Sequence, residues 1–426
     1  MKNRVVVTGL GVLAPNAHGV DAFETALRNG VSGIRFIPKL EEFKFGCQVA
    51  GTPRNVDTIC AQYFTEEQLL SMNSGIRFTG IAAIDAWRDA GLDVPPDDSD
   101  AVDWDTGAII GTGIGGMDTT GERVVPFTDA GRVRRLGSTA VEQVMASGVS
   151  ARTSGLLALG NQVTTNSSAC STGTEAIIDA MYRIRNGFAK RMLAGGSEAA
   201  SHYIWAGFDA MRVLNRSKND EPEKASRPMS ASAGGFVPGS GAGIVLLESL
   251  QSARERGARI YAEVLGGAIN CGGHRQGGSM TAPNPLGVQK CVQGALADAA
   301  ITGDDVDAIN GHLTATFADP YEIQNWSKAL ERPPESFPYV NSTKSLIGHT
   351  LGAAGGLEAI ACILQVHRGF VHGSVNCEDL HQQLIPFADR VVHETMEFPE
   401  LRIQAKASFG FGDVNACVIF KKWENE

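Results

Sequence analysis

Cys170 has the local sequence of a nucleophile. It lies between a short β-like run, residues 162–164, and an apolar helical stretch, residues 175–184. A cysteine at the first turn of a helix meets unpaired backbone N–H groups and the positive end of the helix dipole. Because this field favours the thiolate over the thiol, the pattern predicts a reactive sulfur, although a free cysteine is more often buried and inert.

His312 and His349, far down the chain, stand in similarly distinctive positions. His312 follows a predicted strand, and His349 stands at the entrance of a predicted helix. Each alone could simply cap a loop or a helix, but with Cys170 they indicate the catalytic set of an acyltransferase that forms carbon–carbon bonds. The other histidines lack such a context, and we assign them to surface or loop positions: His18, His202, His274, His367, His372, His381 and His393.

Short β-branched runs alternate with amphipathic stretches along the whole chain. This alternation predicts an α/β fold with mostly parallel sheets. The predicted strands are Arg4–Thr8, Gly107–Ile110, Arg191–Ala194, Gly243–Leu247, Ile260–Leu265, Ala308–Asn310, Gln404–Ser408 and Asn415–Phe420. The predicted helices are Val20–Asn29, Phe78–Ala90, Ser150–Leu159, Glu175–Asn186, Leu286–Ala299, Pro320–Leu330 and Leu357–Arg368.

The chain also divides into two halves, residues 1–251 and 252–426, at a charged helical link. Each half contains a turn of small residues that leads into a helix, residues 169–173 in the first and residues 348–355 in the second. This pattern predicts an internal duplication. The N-terminal half carries Cys170, and the C-terminal half carries His312 and His349.

Composition narrows the partners and the compartment. The net charge of −10 and the pI near 5.5 argue against nucleic acid as the main partner. The eight cysteines are scattered without a CxxC pair or metal-ligand spacing, which indicates a reducing compartment, no disulfide framework and no metal site. There is no signal-peptide pattern and no apolar run of about 18 residues, so the sequence predicts a soluble cytoplasmic protein that does not enter a membrane.

Two glycine motifs match a dinucleotide-binding fingerprint but lack the context that such a site needs. After residues 9–14 the helix is spoiled by Pro15, and residues 111–116 are followed by a poor helix without a strand-terminal acid on schedule. We therefore interpret both motifs as tight turns at strand ends and expect no nicotinamide cofactor.

Four segments together resemble the signature blocks of the elongating β-ketoacyl-acyl-carrier-protein synthases, types I and II. These segments are Ser168–Gly173, Asn310–Thr316, Lys344–Gly355 and Ser408–Asn415. They agree with the family blocks in order and spacing, and the resemblance runs from Val5 to Phe420. It implies the thiolase fold, in which two duplicated α/β halves form five layers (αβαβα), and a dimer that uses neither a metal nor an organic cofactor.

The resemblance also implies a mechanism. Cys170 takes an acyl group from an acyl-carrier protein, and His312 and His349 donate hydrogen bonds to the thioester carbonyl of the malonyl carrier as CO₂ leaves. Lys344 supplies a positive charge, and Glu358 is its partner. The product is a β-ketoacyl-acyl-carrier protein, in fatty acid biosynthesis or in a related polyketide or aryl-polyene pathway.

Further positions are carried over from the same resemblance. The backbone N–H groups of Cys170 and Phe411 form the oxyanion hole, and Thr314 and Thr316 contact pantetheine. The positions near the acyl pocket and its gate are Ile114, Ala169, Phe409 and Phe411. An acidic carrier protein requires basic docking residues, although a run of charges can equally be a solvated face. The docking candidates are Arg77, Arg132, Arg134 and Arg135.

The chain departs from the family pattern at points that bear on gating and substrate selection. Leu313 stands where glycine is usual, Asp319 comes one residue early, and Asp413 replaces a glycine of the gate. Tyr203 and Trp205 replace smaller residues, and they either narrow the acyl tunnel or pack in the ordinary way.

Related functions fit the residues less well. A chain-length factor, the non-enzymatic partner of such enzymes, lacks the nucleophile that Cys170 provides. A thiolase needs a second cysteine in a C-terminal Cys-x-Gly, where this chain has Gly410-Phe411-Gly412, and chalcone-type enzymes have asparagine in place of His349. The acyl chain length, the pathway, and the choice between a homodimer and a heterodimer with a related subunit stay open.

Overall fold

A computed structural model describes residues 3–424. Its main strands are β1 (Val5–Ala14), β2 (Thr106–Gly111), β3 (Val163–Thr164), β4 (Arg191–Glu198), β5 (Gly241–Ser249), β6 (Ala262–Cys271), β7 (Ala308–Asn310), β8 (Tyr339–Asn341), β9 (Ile403–Gly410) and β10 (Val414–Lys422). Shorter strands are Ala17–His18, Ile34–Phe36, Val49–Gly51, Phe370–Val371 and Met396–Glu397. Each predicted strand overlaps one of the main strands, although two of the predictions begin one or two residues early, at Arg4 and Ile260; β8 and the shorter strands are not predicted.

Two groups of five strands share one topology. Their orders in the sheet are β3-β2-β4-β5-β1 and β8-β7-β9-β10-β6. If the five strands of each group are numbered 1 to 5 along the chain, both groups have the order 3-2-4-5-1. In both groups the first three strands are parallel and the last two are antiparallel to their neighbours. The predicted duplicated α/β fold is confirmed, but the sheets are mixed rather than mostly parallel. The antiparallel pair β9–β10 needs only a tight turn, which alternation of strands and helices does not reveal.

Nine longer helices flank the strands. They are α1 (Val20–Arg28), α2 (Val56–Tyr63), α3 (Ser74–Asp89), α4 (Gly148–Leu157), α5 (Thr172–Arg185), α6 (His202–Ala210), α7 (Pro285–Ala299), α8 (Asp319–Leu330) and α9 (Ala354–Arg368), counted over residues 3–424. Shorter helical segments are Pro38–Glu42, Glu66–Leu69, Met117–Thr119, Thr120–Val124, Val125–Asp129, Val133–Arg135, Ala140–Val144, Ala169–Ser171, Pro222–Lys224, Leu250–Glu255, Gly303–Asp305, Pro334–Ser336, Lys344–Ile347, Leu351–Ala353 and Gln382–Arg390.

The elements stack in five layers. Helices α5 and α9 form the middle layer and contact strands of both groups. Helices α3 and α4 cover the outer face of the first group, α7 covers the outer face of the second, and α8 packs against α7. This αβαβα order is the predicted one. No helix within residues 3–424 is long and apolar enough to cross a membrane.

Glycines allow the two central helices to meet at their N-termini. A Cβ atom on Gly355 would lie 2.2 Å from the backbone nitrogen of Thr174, and a Cβ on Gly173 would lie 2.7 Å from that of Gly356. The backbones therefore touch just after Cys170 and His349, which brings these two residues together from opposite halves of the chain.

The first glycine motif is not a turn. Gly9 and Gly11 lie inside β1, where a Cβ would collide with the carbonyl oxygens of Ala86 and Ala82 in α3. These glycines let a helix pack closely on the strand, so the predicted turn at residues 9–14 is wrong. The second motif, at residues 111–116, does form a turn after β2.

Candidate active site

Cys170, His312 and His349 lie together at one cavity of about 440 Å³. One ligand atom of each residue lies within 4.8 Å of the others. His349 Nε2 is 3.0 Å from Cys170 Sγ, and the two imidazole rings meet edge to face with centroids 5.4 Å apart. All three side chains are buried, so a ligand that reaches the sulfur also reaches both rings.

A strained turn presents Cys170 at the entrance of α5. Residues 169–171 form one 3₁₀ turn immediately before the helix, and Ala169 has a left-handed φ of 49° that is uncommon for a residue with a Cβ. Gly410 lies against this turn, because a Cβ there would be 3.1 Å from the backbone nitrogen of Cys170. The close approach places the next residue, Phe411, with its backbone N–H directed at the sulfur.

Burial dominates the protonation state of Cys170. It raises the pKa of the thiol to about 11, although the charge of Lys344 and the N–H of Phe411 act in the opposite direction. The expectation of a ready thiolate is therefore wrong for this site at neutral pH. With a pKa of about 11, the protonated thiol predominates at neutral pH.

The tautomer of His349 follows from its hydrogen bonds. The backbone N–H of Leu351 donates to Nδ1 at 3.3 Å, so Nδ1 carries the lone pair. Burial and the charges of Lys344 and Lys406 hold the pKa of His349 well below its usual value, so that the ring is neutral. Its proton therefore lies on Nε2, which points at Cys170 Sγ as a donor.

The loop that carries His312 is fixed by two buried acids of α8. Glu322 accepts the backbone N–H groups of His312 and Leu313 at 2.6 and 2.7 Å. Asp319 accepts those of Thr314 and residue 315 at 2.9 and 3.0 Å. Burial raises the pKa of Glu322 to about 7. His312 Nδ1 is buried without a hydrogen-bond partner among residues 3–424.

Near the two histidines, the carboxylate of Glu358 lies between two lysines. Lys344 pairs with Glu358 Oε1, as the family resemblance implies, and Lys406 Nζ lies 3.0 Å from Glu358 Oε2. All three side chains are almost fully buried. Burial, together with the charges of Lys344 and Lys406, holds the pKa of His312 well below its usual value, so this ring is also a neutral hydrogen-bond donor.

Glu198, at the end of β4, connects the two turns around the cysteine. Its carboxylate accepts the backbone N–H of Gly352 and that of Gly113 at 2.9 Å each, and that of Ile114 at 3.3 Å. Burial raises the pKa of Glu198 to about 7. Sequence reasoning missed Glu198, Glu322 and Lys406; the available signal was a charged residue within or beside an apolar run.

The remaining predicted residues divide into two groups. Four of them line the cavity: Thr314, Thr316, Phe409 and Phe411. Ile114 and Ala169 are not among its lining residues; Ile114 is 43% exposed in the single chain. Trp205 packs in a buried apolar cluster, while Tyr203 covers Gly121, which favours ordinary packing for both.

Two surface assignments change with the structure. Arg77 is partly buried and lies 3.8 Å from Asp57, whereas the segment of Arg132, Arg134 and Arg135 is exposed. His372 lies in a loop but is fully buried, 3.0 Å from Thr343 Oγ1, so a surface position is wrong for it.

A thiol sulfur and two imidazole nitrogens are also donors that zinc prefers. Cys170, His312 and His349 are therefore the residues of this site that could hold a metal ion. That the reaction requires no metal stays a prediction.

Comparison with known proteins agrees with this geometry. The chain matches the family descriptions "Beta-ketoacyl synthase, N-terminal domain" over residues 2–253 and "Beta-ketoacyl synthase, C-terminal domain" over residues 261–378. It is 35% identical to 3-oxoacyl-[acyl-carrier-protein] synthase I, chloroplastic, of Arabidopsis thaliana, over 99% of this chain and 87% of that protein. It is also 35% identical to 3-oxoacyl-[acyl-carrier-protein] synthase 2 of Vibrio harveyi, over 99% of both.

Solved structures of ketosynthases have the same fold. The ishigamide ketosynthase/chain length factor is 29% identical with a TM-score of 0.89, and it aligns over 100% of both chains. A type II PKS acyl-carrier protein in complex with its ketosynthase bound to the hexaketide gives 28% identity and a TM-score of 0.87, again over 100% of both chains. The predicted thiolase fold is thereby confirmed, and the chain belongs to the beta-ketoacyl synthase family.

Proposed function

We propose that this chain catalyses a decarboxylative Claisen condensation between an acyl group held on Cys170 and malonyl-acyl-carrier protein. The products are β-ketoacyl-acyl-carrier protein and CO₂. The observation that carries this proposal is the meeting of one thiol and two neutral imidazoles at a single cavity, with His349 Nε2 3.0 Å from Cys170 Sγ.

Acyl loading uses the sulfur and two backbone N–H groups. Cys170 Sγ attacks the thioester carbonyl, and the N–H groups of Cys170 and Phe411 stabilise the oxyanion. One such donor lowers the activation barrier by about 3–4 kcal/mol. The carbon–sulfur bond to pantetheine then breaks. The thiol proton of Cys170 leaves with the pantetheine thiolate, so the exchange needs no preformed cysteine thiolate.

Condensation uses the two imidazoles as donors. The malonyl carboxylate leaves as CO₂, and the electron pair of that bond becomes an enolate whose oxygen accepts hydrogen bonds from His312 and His349. The enolate carbon attacks the acyl thioester, and the bond to Cys170 breaks. The resulting thiolate takes a proton from solvent. Thr314 and Thr316, whose hydroxyls are 3.0 Å apart at the cavity, hold the pantetheine arm.

The partners and compartment belong to the same proposal. The substrates arrive on an acidic acyl-carrier protein, and the enzyme works in the cytoplasm, in keeping with eight free cysteines. It works as a homodimer or with a related subunit. Strand β3 ends its sheet and has an edge without a strand partner within residues 3–424, where a second chain can pair.

Mass spectrometry of the intact protein tests this function. After incubation with acyl carriers of several chain lengths, we expect one acyl group on the wild type and on Cys271→Ala, the exposed-cysteine control, and none on Cys170→Ala. His349→Ala should load acyl groups yet condense about 10²–10³-fold more slowly, as for loss of an oxyanion donor. An unmodified wild type with every carrier would refute the assignment, and loss of activity with a chelator would refute metal independence.

A further inference from the structure

Lys406 is a fully buried lysine that the proposed reaction does not use. It lies on β9, and its ammonium has a complete set of partners. It donates to Thr174 Oγ1 at 2.8 Å, to the carbonyl of residue 407 at 3.2 Å and to Ser408 Oγ, and it forms an ion pair with Glu358 Oε2 at 3.0 Å. A lysine that is this deeply buried is rare unless it is paired, so its place in the site calls for a reason.

These partners belong to the elements that carry the active site. Thr174 lies in the first turn of α5, directly after Cys170, and Glu358 lies in the first turns of α9, after His349. Ser408 precedes the segment that ends in Phe411. One ammonium group therefore contacts α5, which follows Cys170, α9, which follows His349, and β9, which leads to Phe411.

Lys344, Lys406 and Glu358 together carry a formal charge of +1. Lys344 and Lys406 share the single carboxylate of Glu358. The other ionisable groups that act on these three are Cys170, His312, His349, Glu322, Cys362, His372 and Cys417. If the lysines served only to neutralise Glu358, one would suffice. The second adds a fixed cation whose charge acts on both His312 and His349.

We propose that Lys406 is a positioning residue for the condensation step, which holds Glu358 and Lys344 in place and supplies a second positive charge beneath the enolate. The inference rests on the proposed function. Loading of Cys170 makes less use of this charge, because its oxyanion is stabilised by two backbone N–H groups.

Lys406→Met tests this role, with Lys422→Met as a charge-matched control at the exposed end of the adjacent strand β10. We expect Lys406→Met to retain acyl loading of Cys170 and to lose roughly tenfold or more in kcat for condensation. The acid limb of its pH–rate profile should move to higher pH, because the histidines lose a neighbouring cation and protonate more readily. Lys422→Met should leave both the kcat for condensation and the acid limb of the pH–rate profile unchanged.

Chemical rescue supplies the second measurement. In Lys406→Ala, ammonium or methylammonium should restore part of the condensation rate, whereas tetramethylammonium, which cannot donate hydrogen bonds, should not. Lys406→Gln replaces Lys406→Met if the latter does not fold. The proposal is overturned if the acid limb stays in place and no rescue occurs, or if loading and condensation fall together with the melting temperature. A wild type that loads but never condenses would instead refute the proposed function.

Discussion

Burial and fixed charge oppose each other at Cys170 but act together on the two imidazoles. Burial raises the pKa of the thiol while Lys344 lowers it, and burial wins. For His312 and His349, burial and both lysines lower the pKa. The site therefore combines a neutral thiol with neutral donors, rather than the thiolate–imidazolium pair of cysteine enzymes whose histidine acts as a base. Donors of this kind suit an enolate better than a general base would.

Glu198 should make the stability of the fold depend on pH. Its folded pKa of about 7 lies above the ordinary value of 4.5, so the buried ionised form is costly. Because the pKa of this carboxyl is higher in the folded than in the unfolded state, the native state binds the proton more tightly. The free energy of unfolding therefore falls as pH rises from about 4.5 to about 7. In chemical denaturation, Glu198→Gln should lack this loss, which is on the order of 3 kcal/mol.

The comparison of two pH values isolates this effect. The free energy of unfolding of Glu198→Gln minus that of the wild type should be more positive at pH 8 than at pH 5, since all other groups titrate equally in both proteins. The exposed Glu67→Gln serves as the control. Equal differences in unfolding free energy at both pH values would show that Glu198 does not titrate in this range.

At the scale of elements, the site depends on the contact between α5 and α9. The turn before each helix carries one side chain of the candidate site, Cys170 or His349, and glycines let the two N-termini touch. Most core contacts between layers involve side chains that can repack, but here backbone meets backbone. The spacing between sulfur and imidazole is therefore set by the helix crossing as a whole.

Gly355→Ala should disrupt this crossing. Its new Cβ would lie 2.2 Å from the nitrogen of Thr174, a backbone atom that cannot rotate away. We expect a loss of about 3 kcal/mol or more in unfolding free energy, at the upper end of overpacking costs. Gly207→Ala, in α6 with nothing within 4 Å of the added carbon, should instead change stability by less than about 1 kcal/mol. Similar melting temperatures for both variants would contradict the argument.

Local pattern predicts elements well and their pairing poorly. The β-branched runs locate the strands, and the turns at residues 169–171 and 348–349 locate Cys170 and His349. Strand β8 is not predicted, although β7, which also has only three residues, is. Lys406 could not be recognised either, because its role arises from Glu358 and Thr174, which are remote in sequence. Tertiary contacts, not local propensity, decide these features.

At the scale of the whole molecule, net charge works against the proposed carrier. Both the chain, at −10, and an acidic carrier protein are negative, so their long-range interaction is repulsive at neutral pH. Productive encounter then requires a local patch of the opposite sign. Arg132, Arg134 and Arg135 are exposed within four residues of one another, while Arg77 is partly covered and near Asp57. The three-arginine segment is therefore the better candidate for steering.

Replacing all three of these arginines by glutamate should raise KM for the carrier about tenfold or more at low salt, with little change in kcat at saturating carrier. The difference from wild type should shrink at about 0.5 M salt, where charges beyond a few ångströms are screened. Arg402→Glu is the control, because this exposed residue precedes β9, at the end of the strand remote from Phe409 and Gly410. Steady-state kinetics at two salt concentrations measure both effects. A KM that does not respond to the triple substitution would make the segment a solvated face, and a fall in kcat would place the arginines in the reaction rather than in the encounter.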